Sequence, residues 1–154
     1  MSVRLSEDEA WSVIEGSHTG IITTLRADGS PVTLPMWFVV IDRAVCFFTF
    51  APTKKVARIK RDPRASFLVE SGERWIDLQA VHLSGHLEPV TDDDAIARID
   101  AAMEDKYASF RTQHEAMPAA TQARYEASKR YYRLVPEHRM LTWDNALLRL
   151  QDKS

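Results

Sequence analysis

The sequence predicts a mainly β domain, a β-barrel with helices added toward its C-terminal end. Short segments rich in Ile, Val, Thr and Phe recur as far as Val90 and are separated by tight turns, a pattern typical of barrels. Several of these segments are apolar on both faces, as a barrel with a covered outer wall requires. After Val90 a helical period replaces the alternation. The 154 residues suit a single domain, 1–154.

One helix and three strands are predicted at the start of the chain. Ser6 and Glu9 have capping-box spacing, so we expect a short helix that ends at Gly16. Asp28 and Gly29 supply the positive φ angles that a tight hairpin turn needs, and this turn separates the first two strands. The three strands are expected at residues 18–26, 31–41 and 44–50.

The third predicted strand is apolar on both faces. Val45 and Phe47 point to one face, whereas Cys46, Phe48 and Phe50 point to the other. Cys46 is the one cysteine of the chain, so no disulfide can form within it, and this fits a reducing cytoplasm. Because no basic residue is adjacent, we expect a buried structural thiol rather than a nucleophile.

The stretch from residue 47 to 64, FFTFAPTKKVARIKRDPR, predicts a strand, a turn and a short basic helix. Thr53 is a good N-cap residue, and Pro52 just before it marks a helix start. A helix N-terminus attracts anions, and Lys54 and Lys55 add two positive charges in its first turn. The stretch therefore predicts a phosphate site, and the alternative is a solvated basic helix face.

The second half of the chain predicts two more strands, a helical insert and a β ending. Strands are expected at residues 64–70 and 75–89, and Asp92 to Asp94 begin a helix. Ile96, Ile99, Met103, Tyr107 and Phe110 repeat at helical spacing, so they should pack against the barrel or a partner subunit. A second helical stretch at 118–130 completes the insert, 92–130, and short strands follow at 131–134 and 138–143.

Charge and composition exclude several classes of function. A formal net charge of −2 argues against a general nucleic-acid binder, which is usually strongly basic. No apolar run approaches the length that spans a membrane, and the acidic, polar start does not resemble a signal peptide, so we expect a cytoplasmic protein. His82 and His86 share a strand face but lie roughly 13 Å apart, too far to share a metal ion, and no metal site is predicted.

The chain contains two motifs in order, R-x-D-G-x-P-V-T-L-P-M-W-F and F-F-T-x-x-x-T-K-K-V-x-x-I-x-R-D-P-R-A-S. Together they resemble the pyridoxamine 5′-phosphate oxidase-like flavin-binding split β-barrel family. The resemblance spans about residues 19–88. It implies a split β-barrel that binds FMN, or the deazaflavin F-420, in a groove between the two subunits of a homodimer. The added C-terminal helices carry no motif of this family.

The resemblance also implies the residues of a flavin site. Pro35 cannot donate to a strand ladder and so belongs at a strand edge or bulge, where a flat ring could bind. Met36 and Trp37 are neighbours on a strand and face opposite sides, so only one of them should face the ring directly. The implied phosphate contacts are Thr49, Thr53, Lys54 and Lys55. The implied ring contacts are Thr33, Leu34, Pro35, Met36 and Trp37, and Phe48 lies in the same part of the site. Gln79 is the candidate contact from the partner subunit.

The function implied by the resemblance is an FMN-dependent oxidoreductase acting on an unknown small molecule. In this chemistry the flavin carries the electrons, so the lack of an acid–base pair does not argue against an enzyme. The alternatives are a deazaflavin (F-420)-dependent reductase and a flavin store or sensor without turnover. The C-terminal segment 147–153 does not reproduce the arginine-rich segment that grips the substrate in the oxidase itself, so activity on pyridoxamine phosphate is not expected.

Overall fold

A computed structural model describes residues 2–150, and of residues 149 and 150 only the backbone. The last part of the C-terminal segment discussed above, residues 151–153, lies outside the described residues. The predicted fold class, mainly β with helices, is confirmed. The strands are β1 (Gly20–Leu25), β2 (Pro31–Met36), β3 (Val39–Ile41), β4 (Ala44–Phe50), β5 (Arg64–Ser71), β6 (Gln79–Val90), β7 (Lys129–Pro136) and β8 (Leu141–Asp144), and the α-helices are α1 (Glu7–Gly16), α2 (Lys54–Arg61), α3 (Asp93–Tyr107) and α4 (Ala119–Tyr125).

The strands form one antiparallel sheet that curls into a split barrel. Its order is β2-β1-β5-β6-β7-β4-β3, and β8 pairs with the free end of β6. Strands β2 and β3 stand at opposite ends of this order, yet only Trp37 and Phe38 separate them in the chain. The sheet must therefore curl until its two ends meet. We call this junction, residues 37 and 38, the barrel seam.

The core fills the inside of this curl and continues under the helices. Phe38, Phe47 and Phe67 have at most 1% of their surface exposed, and each contributes about 1.5–3 kcal/mol by leaving water. Trp11 and Ile14 of α1 belong to the same cluster. Cys46, on the opposite face of β4, is also buried, and this burial raises the pKa of its thiol to about 11. The predicted two-sided burial of this strand is thus confirmed.

The predicted strands 31–41 and 75–89 differ from the observed ones, the first because its two parts pair with different strands and the second because a local turn precedes it. The predicted strand 31–41 is broken at the seam, because β2 pairs with β1 whereas β3 pairs with β4. The predicted strand 75–89 begins later, at Gln79. A 3-10 turn over Trp75–Asp77 precedes it, closed by the salt bridge between Arg74 and Asp77, whose N and O atoms lie 2.6 Å apart.

The helical insert is also shorter than predicted. Helix α4 ends at Tyr125 and β7 already begins at Lys129, because the Ser128 carbonyl accepts a 2.8 Å hydrogen bond from the Ala51 N–H and draws the chain into the sheet. On α3, Ile99, Met103 and Tyr107 are buried against the chain's own barrel, as predicted. Phe110 is the exception: it lies beyond α3 and is exposed.

Within the described residues no helix combines the length and the apolar character needed to cross a membrane.

Candidate functional site

An open groove of about 700 Å³ lies between the barrel seam and the helical insert. One wall is the seam and β4, and the first turn of α2 closes its end. The other wall comes from the insert, and Lys129 at the start of β7 completes the rim. The bordering residues are Met36, Trp37, Phe47, Phe48, Thr49, Phe50, Lys55, Met103, Phe110, Arg111, Thr112, His114, Met117, Tyr125 and Lys129.

Five of the predicted site residues meet in this groove: Met36, Trp37, Phe48, Thr49 and Lys55. They come from β2, the seam, β4 and α2, so the groove joins the two halves of the predicted site. The ring contacts and the phosphate contacts were predicted from separate stretches of sequence. The fold brings members of both onto one surface.

The remaining predicted residues do not border the groove. Thr33, Leu34 and Pro35 lie along β2, and Thr53 and Lys54 lie just outside its end at α2. Gln79 sits on β6, where its Nε2 donates a 2.8 Å hydrogen bond to Asp144 on β8.

Strand β2 is the exposed edge of the sheet. It pairs with β1 on one side only, so Pro35 has no ladder to interrupt on its outer side, as its chemistry predicts. The Thr33 and Thr23 hydroxyls lie 2.9 Å apart across the two strands. Leu34 is 41% exposed. The edge therefore presents apolar surface next to the groove.

Helix α2 is held firmly to the barrel at the end of the groove. The Thr53 side chain accepts a 3.3 Å hydrogen bond from the Val56 N–H, so the predicted N-cap is confirmed. Ile59 is buried, and the Arg58 Nε donates to the Thr24 hydroxyl at 3.0 Å. No residue of this helix is acidic. The N–H groups of Lys54 and Lys55, the first two residues of the helix, have no acceptor earlier in the helix and are available to a ligand.

Lys55 is the half-buried cation of this helix that borders the groove. Burial lowers the pKa of its ammonium group, and the positive charge of Arg58 adds to the effect. Within the described part of the chain, no carboxylate lies within ion-pair distance of its Nζ. A bound anion would relieve both penalties, because an opposite charge favours the ammonium form.

The groove is cationic although the whole chain is slightly acidic. Lys55, Arg111, Lys129 and His114 border it, and none of its bordering residues is Asp or Glu. Arg111 and Lys129 have acidic partners of their own behind the wall: Glu104 lies 2.8 Å from the Arg111 Nη1, and Asp100 lies 3.7 Å from the Lys129 Nζ. Lys55 is left as the natural anchor for an anionic group.

The two residues at the end of β2 both border the groove, contrary to the alternation expected of strand neighbours. The reason is that β2 ends at Met36, so Trp37 lies in the seam and no longer follows the strand's pleat. Met36 is partly buried against the core, whereas Trp37 is 37% exposed. Trp37 thus offers the groove the larger accessible aromatic surface.

The wall contributed by the helical insert was not predicted from the sequence. Most of this wall comes from short helical turns between residues 108 and 125, which have no regular apolar period. Its side chains are Phe110, Arg111, His114, Met117 and Tyr125. The available signal was compositional: two aromatic residues stand in a polar stretch with little else to bury. Phe110 is 60% exposed and Tyr125 is 50% exposed, so both offer aromatic surface to the groove.

A second groove, of about 930 Å³, lies on another part of the molecule, between the start of the chain and β8. None of the predicted site residues borders it. Arg43, which borders it near α1, is already paired with Glu7 and Asp8. Its size alone does not make it the better candidate, because the predicted phosphate and ring contacts lie elsewhere.

Comparison with protein families gives a match over most of the chain. The model of the family described as pyridoxamine 5′-phosphate oxidase matches residues 6–138. The match includes the seam, β4, α2 and the whole helical insert.

Solved structures support the same fold. The conserved hypothetical protein Rv2991 from Mycobacterium tuberculosis is 31% identical, with a TM-score of 0.79 over 96% of this chain and 89% of that one. An FAD-binding protein from Mesorhizobium loti is 21% identical, with a TM-score of 0.66 over 90% and 94%. The heme storage protein HutZ from Vibrio cholerae is 14% identical, with a TM-score of 0.68 over 93% and 96%. The last two likenesses concern the fold alone.

Proposed function

This chain belongs to the pyridoxamine 5′-phosphate oxidase family. From that premise we propose that it binds FMN in the groove between the barrel seam and the helical insert and acts as an oxidoreductase on a small molecule. The single observation that carries the proposal is the position of Lys55. Among the described residues the half-buried ammonium group of Lys55 has no acidic partner, and it borders the same groove as Met36 and Trp37. A flat ring that carries a phosphate would use both features.

The phosphate end consists of β4 and the start of α2. In the proposal, Lys55 supplies the charge and Thr49 a hydroxyl donor, while the backbone N–H groups of Lys54 and Lys55 donate to the anion. Thr53 keeps its role as N-cap and can still donate its hydroxyl proton, and Lys54 adds a second charge at the rim. A charge-assisted hydrogen bond of this kind contributes about 1.5–3 kcal/mol.

The ring end consists of the seam and Phe48. Bound FMN would supply the electron-transfer chemistry, while the protein orients the reacting groups and excludes competing reactions. The Lys129 Nζ lies 4.3 Å above the centre of the Phe48 ring, so a cation already occupies one face of that ring. Trp37 and Met36 close the apolar side, and Thr33, Leu34 and Pro35 continue it along the edge strand.

We further propose that the site is completed by a second copy of the chain. The groove is open, and the adjoining edge strand β2 exposes apolar surface that a two-fold partner would cover. Gln79 lies away from the groove of its own chain, so it would serve the groove of the partner. Trp11 takes no part in such an interface, because it is buried in the core of its own chain.

The alternatives are the deazaflavin F-420 in place of FMN, and a flavin store or sensor in place of an oxidoreductase. The absorbance spectrum of the purified protein separates the cofactors, because the deazaflavin band lies at shorter wavelength than the flavin band. Reduction by NAD(P)H followed by reoxidation with a candidate substrate separates an enzyme from a store. A spectrum that shows heme and no flavin would overturn the proposal.

We propose that the protein is cytoplasmic. Its single cysteine, Cys46, is buried and cannot form a disulfide within the chain.

A further inference from the structure

Trp37 lies flat on Tyr107 at the barrel seam. The ring centres are 4.4 Å apart, and the ring planes differ by 6°. Tyr107 is the last residue of α3 and has no exposed surface. One face of the Trp37 ring is therefore covered by the helical insert. The exposed third of this side chain must belong to its other face and its edges.

His18 does not cover that other face. Its ring centre lies 5.2 Å from Tyr107 and 6.0 Å from Trp37, and its plane is steeply inclined to both. Because the two stacked rings are only 4.4 Å apart, these distances place His18 beside the stack rather than beyond Trp37. Among the described residues, Tyr107 is thus the ring stacked face to face on Trp37, and the outer face stays open toward the groove that Trp37 borders.

The Tyr107 hydroxyl holds the seam itself. It accepts a 3.0 Å hydrogen bond from the Phe38 N–H and lies 2.8 Å from the Phe38 carbonyl oxygen and 2.7 Å from that of His18, which share its single proton. The neighbouring Lys106 donates to the same Phe38 carbonyl at 3.1 Å. The backbone one residue after Trp37 is therefore fixed by two consecutive residues of α3.

We propose that the outer face of Trp37 is a stacking surface for a flat aromatic ring in the groove and that Tyr107 is the positioning residue that holds it ready. The inference rests on the proposed function in taking the groove as the ligand site. The flavin ring and an aromatic substrate would stack by the same chemistry. A side chain that is already fixed loses little conformational freedom when a ligand stacks on it, so the buried Tyr107 contributes to binding without touching the ligand.

The first part of the test uses the protein without ligand. The chain is labelled with fluorotryptophan, and Trp37→Phe assigns the Trp37 signal by fluorine NMR. Tyr107→Phe keeps the ring stack and removes the hydroxyl, so the Trp37 signal should shift or broaden. The matched control is Tyr131→Phe, because the Tyr131 hydroxyl also bonds to α3, 2.9 Å from each carboxylate oxygen of Asp100, without touching the seam. Equal effects of the two variants on the Trp37 signal would overturn the positioning role.

The second part identifies the ring. Calorimetry measures FMN binding, and fluorine NMR follows Trp37 during the same titration. A Trp37 shift with FMN alone assigns the surface to the flavin, whereas a shift that comes only when p-nitrobenzoate is added to the FMN-loaded protein assigns it to an aromatic substrate. A Trp37 signal that moves with neither overturns the stacking surface, even where FMN binds. Absence of FMN binding in calorimetry overturns the proposed function, and p-nitrobenzoate added to the free protein then tests the stacking surface by itself.

A third variant guards against a Tyr107→Phe protein that does not fold. Trp37→Leu removes the stacking surface at a partly exposed position and leaves Tyr107 in place. It should weaken binding of the ring ligand by roughly three- to tenfold, the range for losing one aromatic pair. Unchanged affinity in this variant would contradict the proposal.

Discussion

The Nε2 atom of His86 lies 3.1 Å from the Oε1 atom of Glu88, two residues further along the same face of β6. The Nδ1 atom of the same ring contacts Glu137, beyond the end of β7. Only the doubly protonated imidazole can donate to both carboxylates. Glu88, and after it Glu137, therefore raises the pKa of His86 above its ordinary value. When the His86 imidazole is protonated, its contact with Glu137 therefore links β6 to the end of β7.

This pairing predicts a loss of stability as the pH rises. Because the pKa of His86 is higher in the folded protein than in the unfolded chain, the stabilisation is complete below the unfolded value of about 6.5 and disappears as the pH passes the folded value. His86→Gln should remove this dependence from the urea midpoint. His82→Gln, on the same strand, is the control and should retain it. A His86 imidazole that titrates below its ordinary pKa in an NMR experiment would contradict the prediction.

The first test of the phosphate end is the loss of FMN affinity when Lys55 is replaced. Lys55→Ala should weaken FMN binding by about 1.5–3 kcal/mol, because it removes a charged hydrogen-bond donor from the groove. Lys60→Ala removes the same charge from the exposed far end of α2, and it should change the affinity much less. Binding of riboflavin, which lacks the phosphate, should be nearly equal in the two variants. Equal losses of FMN affinity in both would mean that α2 acts as a diffuse basic surface.

Gly85 predicts a stability effect at the junction of β6 and β7. A Cβ atom at this position would lie 1.9 Å from the Val135 carbonyl oxygen, a backbone atom that cannot move aside. Gly85→Ala should therefore lower the free energy of unfolding by about 1–3 kcal/mol or more, the cost of overpacking. Gly16→Ala is the control, because its Cβ would meet nothing within 4 Å. Equal unfolding midpoints for the two variants would contradict so close an approach of the two strands.

The sequence predicted best what local chemistry determines. The bounds of β4 were predicted as observed, because its apolar run is followed by Pro52 and by a strong N-cap, Thr53. The start of α3 was predicted for a similar reason, since Asp92 accepts a 2.9 Å hydrogen bond from the Ala95 N–H. In each case the signal and the structure it determines lie within a few residues of each other.

The seam and the insert wall were missed because their causes are distant in the chain. Pro35 indicated only a strand edge or bulge, and the break at Trp37 and Phe38 is held by Tyr107, 69 residues beyond Phe38. Likewise, Arg111 and His114 acquire their place in the groove only when the insert folds back over β4. The site prediction therefore contained the part of the groove that comes from the two motifs of the first half of the chain, and the opposite wall required the three-dimensional fold.

Met36 predicts where the ring lies within the groove. Met36→Arg should shift the visible absorbance band or the reduction potential of bound FMN, because it places a charge beside the ring, while much of the phosphate-based affinity remains. Leu141→Arg is the control, since Leu141 is an exposed apolar residue of β8 that does not border the groove. An unchanged band and potential in Met36→Arg would put the ring elsewhere and leave only the phosphate end of the proposed site.

Gln79 predicts that each flavin site needs two copies of the chain. Light scattering at micromolar concentration should give about twice the chain mass, as expected of a two-fold dimer. Gln79→Ala should weaken FMN binding even though Gln79 does not border the groove of its own chain. Asp144→Ala is the control: it breaks the same Gln79–Asp144 hydrogen bond but leaves the Gln79 amide in place, so affinity should be retained.

Mixing two defective variants then tests the arrangement directly. A dimer of one Lys55→Ala chain and one Gln79→Ala chain carries both defects in one groove and neither in the other. After subunit exchange, about a quarter of all sites should regain the affinity of the unmodified protein, because random pairing in a two-fold dimer makes half of the dimers mixed. If exchange is verified by mass spectrometry and no high-affinity sites return, Gln79 does not act across the interface. A stable monomer that binds FMN as tightly as the wild-type protein would contradict the shared site altogether.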